Sequence, residues 1–381
     1  VGPQKKPMKK KKLLWIAFSI FLIYVVWLGF NLFQFKTYSA EHSSSSLEVE
    51  GVYHIHSTFS DGRKTADEIV TIASSIPLDF IILTDHGNPN FESIAFNGWR
   101  QGVLVLSGSE LSVSRGHLVA LNFDTPQAPF LQNAEQAAWQ VSALGGFSII
   151  AHPYSKTQWS WGNLINYSGI EIINADTMLK KKVFATVPLI PALLIKPEYP
   201  LIRMLSRPEK NLRKWDELNS THQIYGYYST DAHILYRALF RLLHLHLFLQ
   251  SPLSNDSQEA ISQVGEALRN GKFYSAVDGA AHAKGFRFWA NKGNQSIPMG
   301  ATVRMDAPVF LRIKSFFPFS VETHLIHNGR TILRSFEKNI TYKVIHPGFY
   351  RVEVYLREKS PLRNDVPWIL SNPIFIKERI L

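Results

Sequence analysis

The strongest constraint on the fold of this chain is a rhythm. From residue 47 to about residue 250, short apolar runs rich in Val, Ile and Phe recur at Val49–His56, Phe80–Thr84, Val103–Leu106, Leu118–Phe123, Phe147–Ala151, Ile170–Ile173 and Ile224–Tyr228. Helix-like segments separate several of them: Thr65–Ile76, Asn133–Leu144 and the long stretch from Met178 to Leu218. Strands alternating with helices predict a parallel sheet with helical crossovers, and seven such strands predict a barrel-like closure. In that architecture reactive groups gather at the C-terminal ends of the strands.

The residues at those ends are unusually uniform. The first run closes in YHIHSTFSDG, where His54 and His56 stand two apart. Side chains at i and i+2 of a strand share a face, so both imidazoles can reach one cation. Asp61 lies five residues on, in a Ser-Asp-Gly turn that can bring a carboxylate back to the same place. The second run ends in Thr84-Asp85-His86-Gly87, the third in Ser109-Glu110, the fifth in His152-Pro153 and the seventh in Asp231-Ala232-His233, while the fourth opens with Gly116-His117. Only the sixth, ending Asn174-Ala175-Asp176, offers no obvious ligand. A lone histidine at a strand end is most often structural. Six histidines and three carboxylates at such boundaries exceed what packing needs. The chain has no cysteine, so an ion here would be held by imidazole and carboxylate, the chemistry of Zn, Mn or Fe rather than of a zinc finger.

The series HIHSTFSDG, LTDHG, GSE, GHL, AHP and DAH resembles the PHP (polymerase and histidinol phosphatase) family of metal-dependent hydrolases, over about residues 50 to 283. That resemblance implies a distorted seven-stranded α/β barrel, two or three divalent ions at its C-terminal mouth, and phosphoesterase activity. It assigns one ion to His54, His56, Glu110 and Asp231, with Glu110 bridging to a second held by His117 and His152. Asp61, His86 and His233 would take the third. Glu110 and Asp231 would then be the catalytic carboxylates. Members carry either aspartate or histidine at the position of Asp61, which leaves two ions and three both open.

Closely spaced cations generate hydroxide from water near neutral pH and clamp the oxygens of a phosphorus centre. The expected activity is therefore hydrolysis of a phosphate ester, of a small molecule or polymer, by metal-bound hydroxide. Two alternatives remain open: a carboxylic or carbamic ester hydrolase using the same metals, and a non-catalytic, metal-stabilised binding protein. Asp85 is expected behind the ligands as a hydrogen-bond partner. Arg115 and Lys156, close to His117 and His152, are the candidates for contact with substrate anions.

The remaining segments bear on location and domain organisation. Lys5, Lys6 and Lys9–Lys12 precede an uncharged run, Leu13–Phe33, of the length that spans a bilayer. The lysines should stay cytoplasmic and send the rest across. A cleaved signal peptide ending near Tyr38-Ser39-Ala40 competes, although the apolar run exceeds the usual signal core. Those six lysines account for much of the net charge of +11, so the body is only mildly basic and no nucleic-acid partner is inferred. The expected divisions are a basic tail (1–12), a transmembrane anchor (13–35), a linker (36–46), the metallohydrolase barrel (47–284) and a β domain (285–381).

Two stretches inside the barrel read less sharply. Lys180–Lys214 carries nine Lys or Arg around the apolar Val183–Ile195, and is expected either to cover the barrel or to rest on anionic lipid. Ile234–Gln250 holds a further HxH, His244 and His246, with no carboxylate nearby in sequence; these are expected to be structural. Beyond Gly285 the period turns to two, with Asn328-Gly329 as a hairpin signal. That pattern predicts an immunoglobulin-like sandwich, resembling the tail of PHP proteins related to carbaryl hydrolase.

Overall fold

The computed structural model describes residues 8–39, 47–155, 158–162, 166–182 and 187–379. The start of the basic tail, most of the linker and Lys156 lie outside the described residues. The apolar run folds as one helix, α1 (Met8–Gln34), about 40 Å long at 1.5 Å per residue. The most apolar 18-residue window of its segment Lys10–Gln34 has a mean hydropathy of 2.4 and is only 6% buried. The helix is thus long and apolar enough to cross a membrane. Its C-terminal turns touch the body, where Leu28 and Leu32 pack on Leu189, Ala192 and Tyr199. Lys196 donates to the carbonyls of Leu32 and Phe35, both at 2.9 Å, satisfying groups that a helix end leaves open.

The rhythm of the sequence becomes β1 (Glu48–Ile55), β2 (Phe80–Leu83), β3 (Gly98–Arg100), β4 (Val103–Ser107), β5 (Ser109–Val113), β6 (Gly116–Leu121), β7 (Phe147–Ile150), β8 (Gly169–Asn174), β9 (Tyr225–Ser229), β10 (His244–Phe248) and β11 (Phe273–Ala276). β1, β2 and β4 pair in parallel, as do β7, β8 and β9. The wholly parallel expectation fails at β6, which runs antiparallel to both β5 and β7. The reason is local: Ser114-Arg115 joins β5 to β6, and two residues make a hairpin, whereas a parallel return needs a crossover of a dozen or more. The reversal brings the start of β6, with His117, to the end where its neighbours finish.

The five-stranded sheet β5–β9 meets the larger sheet at both edges. On one side Thr230 N donates to Tyr53 O at 3.0 Å and His56 N to Ala232 O at 3.0 Å. On the other, Glu110 N reaches Thr84 O at 3.2 Å, and His86 and Glu110 form a bridge. Side chains of both sheets, among them Tyr53, Ile82, Leu106, Val119, Ile149 and Tyr227, fill one core between them. The helices α2 (Ala66–Ser74) and α4 (Ala134–Ala143) pack outside on a second cluster through Ile69, Val70, Ala137 and Val141; a four-residue α3 (Phe91–Ile94) lies between them in sequence. Thr65 starts α2 with a capping box closed by Glu68.

Beyond residue 285 the period-two reading holds locally. Val321–His327 and Arg330–Ser335 pair antiparallel across Asn328-Gly329, whose φ values of 47° and 77° are those a two-residue hairpin demands. The expected boundary at 284/285 is not a break in hydrogen bonding, however. Strand Ile369–Ser371 pairs with β11 on one side and with Gly348–Leu356 on the other, so one sheet runs across it. A buried ion network reinforces this junction: Arg351 bonds Asp216 at 2.8 Å and Glu353 at 2.6 Å, and Arg207 reaches Glu353 at 3.0 Å.

Candidate metal centre

Strict alternation would put Tyr53 and Ile55 on one face of β1, with His54 and His56 on the other. The chain instead bulges: the register with β2 shifts between Tyr53 and Ile55, and His54 adopts φ 68°. Ile55 thereby joins the outer cluster and Tyr53 the inner one, while both imidazoles turn toward the inner face. His152 and Asp231 also have positive φ, 27° and 51°. Three left-handed, non-glycine residues at one site mark a backbone held there by its surroundings.

All nine sequence-derived candidates converge on this end of the strands. His54 Nε2 lies 3.1 Å from His56 Nε2, 3.2 Å from Glu110 Oε2 and 3.5 Å from Asp231 Oδ1. His56 Nε2 is 3.1 Å from the same Glu110 oxygen. The other oxygen of Glu110 faces His117 Nδ1 and His152 Nε2, each at 2.9 Å. Asp61 contacts His233 at 3.2 Å and His86 at 3.9 Å. His86 stands between the sets, with Nδ1 3.5 Å from Glu110 Oε2 and no hydrogen-bond partner for that atom among the described residues. In three groups, His54/His56/Glu110/Asp231, His56/Asp61/His86/His233 and His86/Glu110/His117, the donor atoms lie within 4.8 Å of one another.

The electrostatics suit cations. Burial opposes charge on His54, yet Asp231, Glu171 and Glu110 hold its pKa well above the histidine range. His56 is likewise raised against burial, to about 9, by Asp231 and Glu110. Glu110, although desolvated, is held well below the carboxylate range by His54, His117 and His152. Burial pushes His86 down. A field that retains protons on buried imidazoles also attracts a metal ion, which replaces them on binding. Neutral imidazoles with three carboxylates make a nitrogen–oxygen donor set that fits Zn, Mn or Fe.

A supporting layer contains residues that sequence reading missed. Glu171, fully buried on β8, accepts from His54 Nδ1 at 2.6 Å and from the backbone N–H of His152 at 2.7 Å. Asn174 donates to Glu171 at 2.9 Å and to Asp231 at 3.1 Å. The sixth run therefore supplies partners rather than ligands, and its sign was a lone carboxylate inside IEII. Asp85 does not touch its neighbour His86 through a hydrogen bond. It accepts from Ser57 N at 2.7 Å and from the hydroxyls of Ser57, Ser60 and Ser93 at 2.7–3.0 Å, pinning the turn that carries Asp61.

A cavity of about 420 Å³ opens over the cluster, lined on its far side by Ser155, Thr177, Lys180 and Lys181. Lys180 pairs with Asp176 and Lys181 donates to Tyr154 O at 2.6 Å. Both lysines sit on α5 (Ala175–Lys181), and neither was singled out from sequence. Arg115 is not among the lining residues; its guanidinium donates to Ser160 O at 3.2 Å. Lys156 falls outside the described residues. His244 and His246 lie elsewhere, and the expectation that they lack carboxylates is overturned: Asp278 approaches both, at 2.9 and 2.6 Å, brought in by the turn after β11 that sequence distance concealed.

No family model and no curated protein matches the chain. Among solved structures, it is similar to a two-domain protein from Bacteroides vulgatus containing a predicted PHP-like metal-dependent phosphoesterase, at 15% identity and a TM-score of 0.44, covering 89% of this chain and 99% of that one. It is also similar to a protein from Bifidobacterium adolescentis described as a metal-dependent phosphoesterase, at 12% identity and a TM-score of 0.32, covering 48% and 87%. An amidohydrolase from Chromobacterium violaceum shares 17% identity at a TM-score of 0.30, over 48% of this chain and 87% of that one.

Proposed function

We propose that this chain is a membrane-anchored, metal-dependent phosphoesterase of PHP type, its catalytic part facing away from the cytoplasm. The observation that carries the reading is Glu110: one buried carboxylate presents Oε2 to His54 and His56 and Oε1 to His117 and His152. A carboxylate so shared is suited to join two ions. His54, His56, Glu110 and Asp231 would hold the first, Glu110, His117 and His152 the second, and Asp61, His86 and His233 a third. Divalent ions bound here supply a nucleophile from water at neutral pH and offset phosphate charge.

The chain's own residues position that chemistry. Glu171 and Asn174 orient His54 and Asp231, Asp85 holds the turn of Asp61, and the cavity leaves one open side for an ester. Closure of β1, β2, β4 and β6–β9 with the β5 edge as a seven-stranded barrel, with residues 285–381 as a sandwich module, belongs to the same reading. Helix α1 is the anchor. The exposed Val187, Ile190, Leu194 and Ile195 beside its C-terminal end support a segment resting on lipid.

The test is full-length protein in detergent, loaded in turn with Zn, Mn or Fe and offered phosphomonoesters, phosphodiesters, carboxyl esters and carbamates side by side. Turnover of a phosphate class is the expected result. Turnover of carboxyl esters or carbamates alone would replace the reading, and full metal content with no turnover would favour a binding protein. In cells with a permeable outer layer, added protease should reach residues beyond α1; a soluble form beginning near Glu41 would refute the anchor.

A further inference from the structure

A second cluster of imidazoles and carboxylates lies at the other end of β1, on the face opposite the first. Glu50 is four residues before His54, roughly 13 Å along a strand. In the ladder Glu50 stands opposite His246, and His246 opposite Tyr274. Alternation puts Glu48, Glu50, His244 and His246 on one face. The segment after β11 folds over that face and adds Asp278 and His282.

The hydrogen bonding of this cluster is incomplete in a specific way. His244, nearly fully buried, donates Nε2–H to Phe240 O at 2.5 Å. In the neutral ring its Nδ1 then carries a lone pair; that atom has no hydrogen-bond partner among the described residues and faces Asp278 Oδ2 at 2.9 Å. Two acceptors at that separation repel unless a cation or proton lies beside them. His246, fully buried, gives Nε2 to the same Asp278 oxygen at 2.6 Å. Asp278 Oδ1 is already used by the N–H of Ala283 at 2.6 Å. Glu48 has Arg287 and Tyr274, whereas among the described residues Glu50 Oε2 meets only imidazoles, His282 Nε2 at 3.0 Å and His246 Nδ1 at 3.7 Å. Of the cations lining the cavity above the cluster, Lys196 is committed to the end of α1 and Arg241 to Glu198 at 3.2 Å, while Lys36 lies over the Tyr38 ring, 5.5 Å from its centroid. Donor atoms of Glu50, His244 and His282 lie within 4.8 Å of one another, as do those of His244, His246 and Asp278. His244 belongs to both groups. A cavity of about 660 Å³ opens onto Glu50, His244, Asp278 and His282, giving an ion a way in.

We propose that this cluster is a separate metal site, taking one divalent ion of the zinc class through His244, His282, Glu50 and Asp278, with His246 donating a hydrogen bond that orients Asp278. Four protein ligands of this kind make a closed, structural site; a ligating imidazole whose other N–H is held by a backbone carbonyl, as His244 is by Phe240 O, is the usual arrangement, and the ligating carboxylate of Asp278 is in turn hydrogen-bonded. Its role follows from what it joins. Thr37 Oγ1 donates to Gly279 O at 2.9 Å and His282 N to Tyr38 O at 2.8 Å, so the ion would clamp the segment leaving α1 to β1 and β10. The site does not depend on the reaction proposed above.

The experiment uses full-length protein in detergent, stripped with a chelator and titrated with Zn2+ alone, with bound metal counted by mass spectrometry and the melting temperature followed. Asp278→Asn and His282→Gln should each lose one equivalent of Zn2+, or bind it at least tenfold more weakly. Glu110→Gln should retain that equivalent, and its melting temperature should still rise with Zn2+. The Glu110→Gln/Asp278→Asn double variant should show a smaller rise than Glu110→Gln, keeping only what the ion beside Asp61 contributes. His282, a third exposed, can be replaced without opening the core, so the test stands even if Asp278→Asn fails to fold. Parent stoichiometry and affinity in His282→Gln, together with an unchanged melting response in the double variant, would overturn the site and leave protonated imidazoles as the balancing charge.

Discussion

Glu171→Gln isolates the contribution of a residue that touches no ion. In the parent, Glu171 Oε2 accepts from the N–H of His152 and from Asn174, while Oε1 accepts from His54 Nδ1 at 2.6 Å. A carboxylate only accepts, so Nδ1 keeps its proton when a metal ion displaces the one on Nε2, and Nε2 is the atom left to bind the ion. A glutamine at this fully buried position must keep its carbonyl toward the two donors, which turns its NH2 toward His54. Nδ1 must then accept, the proton moves to Nε2, and the ligand atom is blocked. Loss of such an outer partner costs 10–100-fold in metal affinity, or about 1.4–2.7 kcal/mol. Competition between stripped protein and a coloured chelator for Zn2+ measures it, with thermal melting as the check on folding. Parent affinity in a folded Glu171→Gln variant would refute the tautomer argument.

Glu110→Gln should weaken two ions together, because both of its oxygens face imidazoles, whereas His233→Ala should affect mainly the ion beside Asp61; metal analysis of the two purified variants should show the larger loss for Glu110→Gln. Full metal and activity in Glu110→Gln would remove it as the bridge, and an active His233→Ala with two ions would make the third dispensable. At the C-terminal junction, Glu353 is held at about 2, against its desolvation, by Arg351 and Arg207. A depressed carboxylate contributes stability that is fully present above its ordinary value of 4.5 and is lost as pH falls through about 2, on the order of 3 kcal/mol in all. The gap in urea midpoint between parent and Glu353→Gln should therefore narrow between pH 6 and pH 3; a constant gap would contradict the assignment.

What could be read from the chain was whatever depends on residue type and short spacing. Alternating runs and helical segments announced the strands, because a buried strand needs a short apolar run and each crossover an amphipathic helix. Asn328-Gly329 announced its hairpin, because few residues tolerate that backbone. The nine candidates at strand boundaries were visible for a topological reason: strands that start or finish at one end bring their boundary residues together however far apart they are in sequence.

The rest required the tertiary structure. Alternation alone placed His54 and His56 together but on the outer face of β1, and only the bulge at His54 turns them inward. Glu171 looked like one charge in an apolar strand until β7 and β1 brought the amide of His152 and the ring of His54 against it. Asp85 lay next to His86 in sequence, yet its hydrogen bonds go to Ser57, Ser60 and Ser93, because the chain at a strand end turns neighbouring side chains in opposite directions. His244 and His246 were read without carboxylates, since Asp278 is more than thirty residues away and Glu50 nearly two hundred. Residue type and spacing determined which groups could do chemistry; strand register and chain reversal, which act over distances the sequence does not express, decided which of them meet.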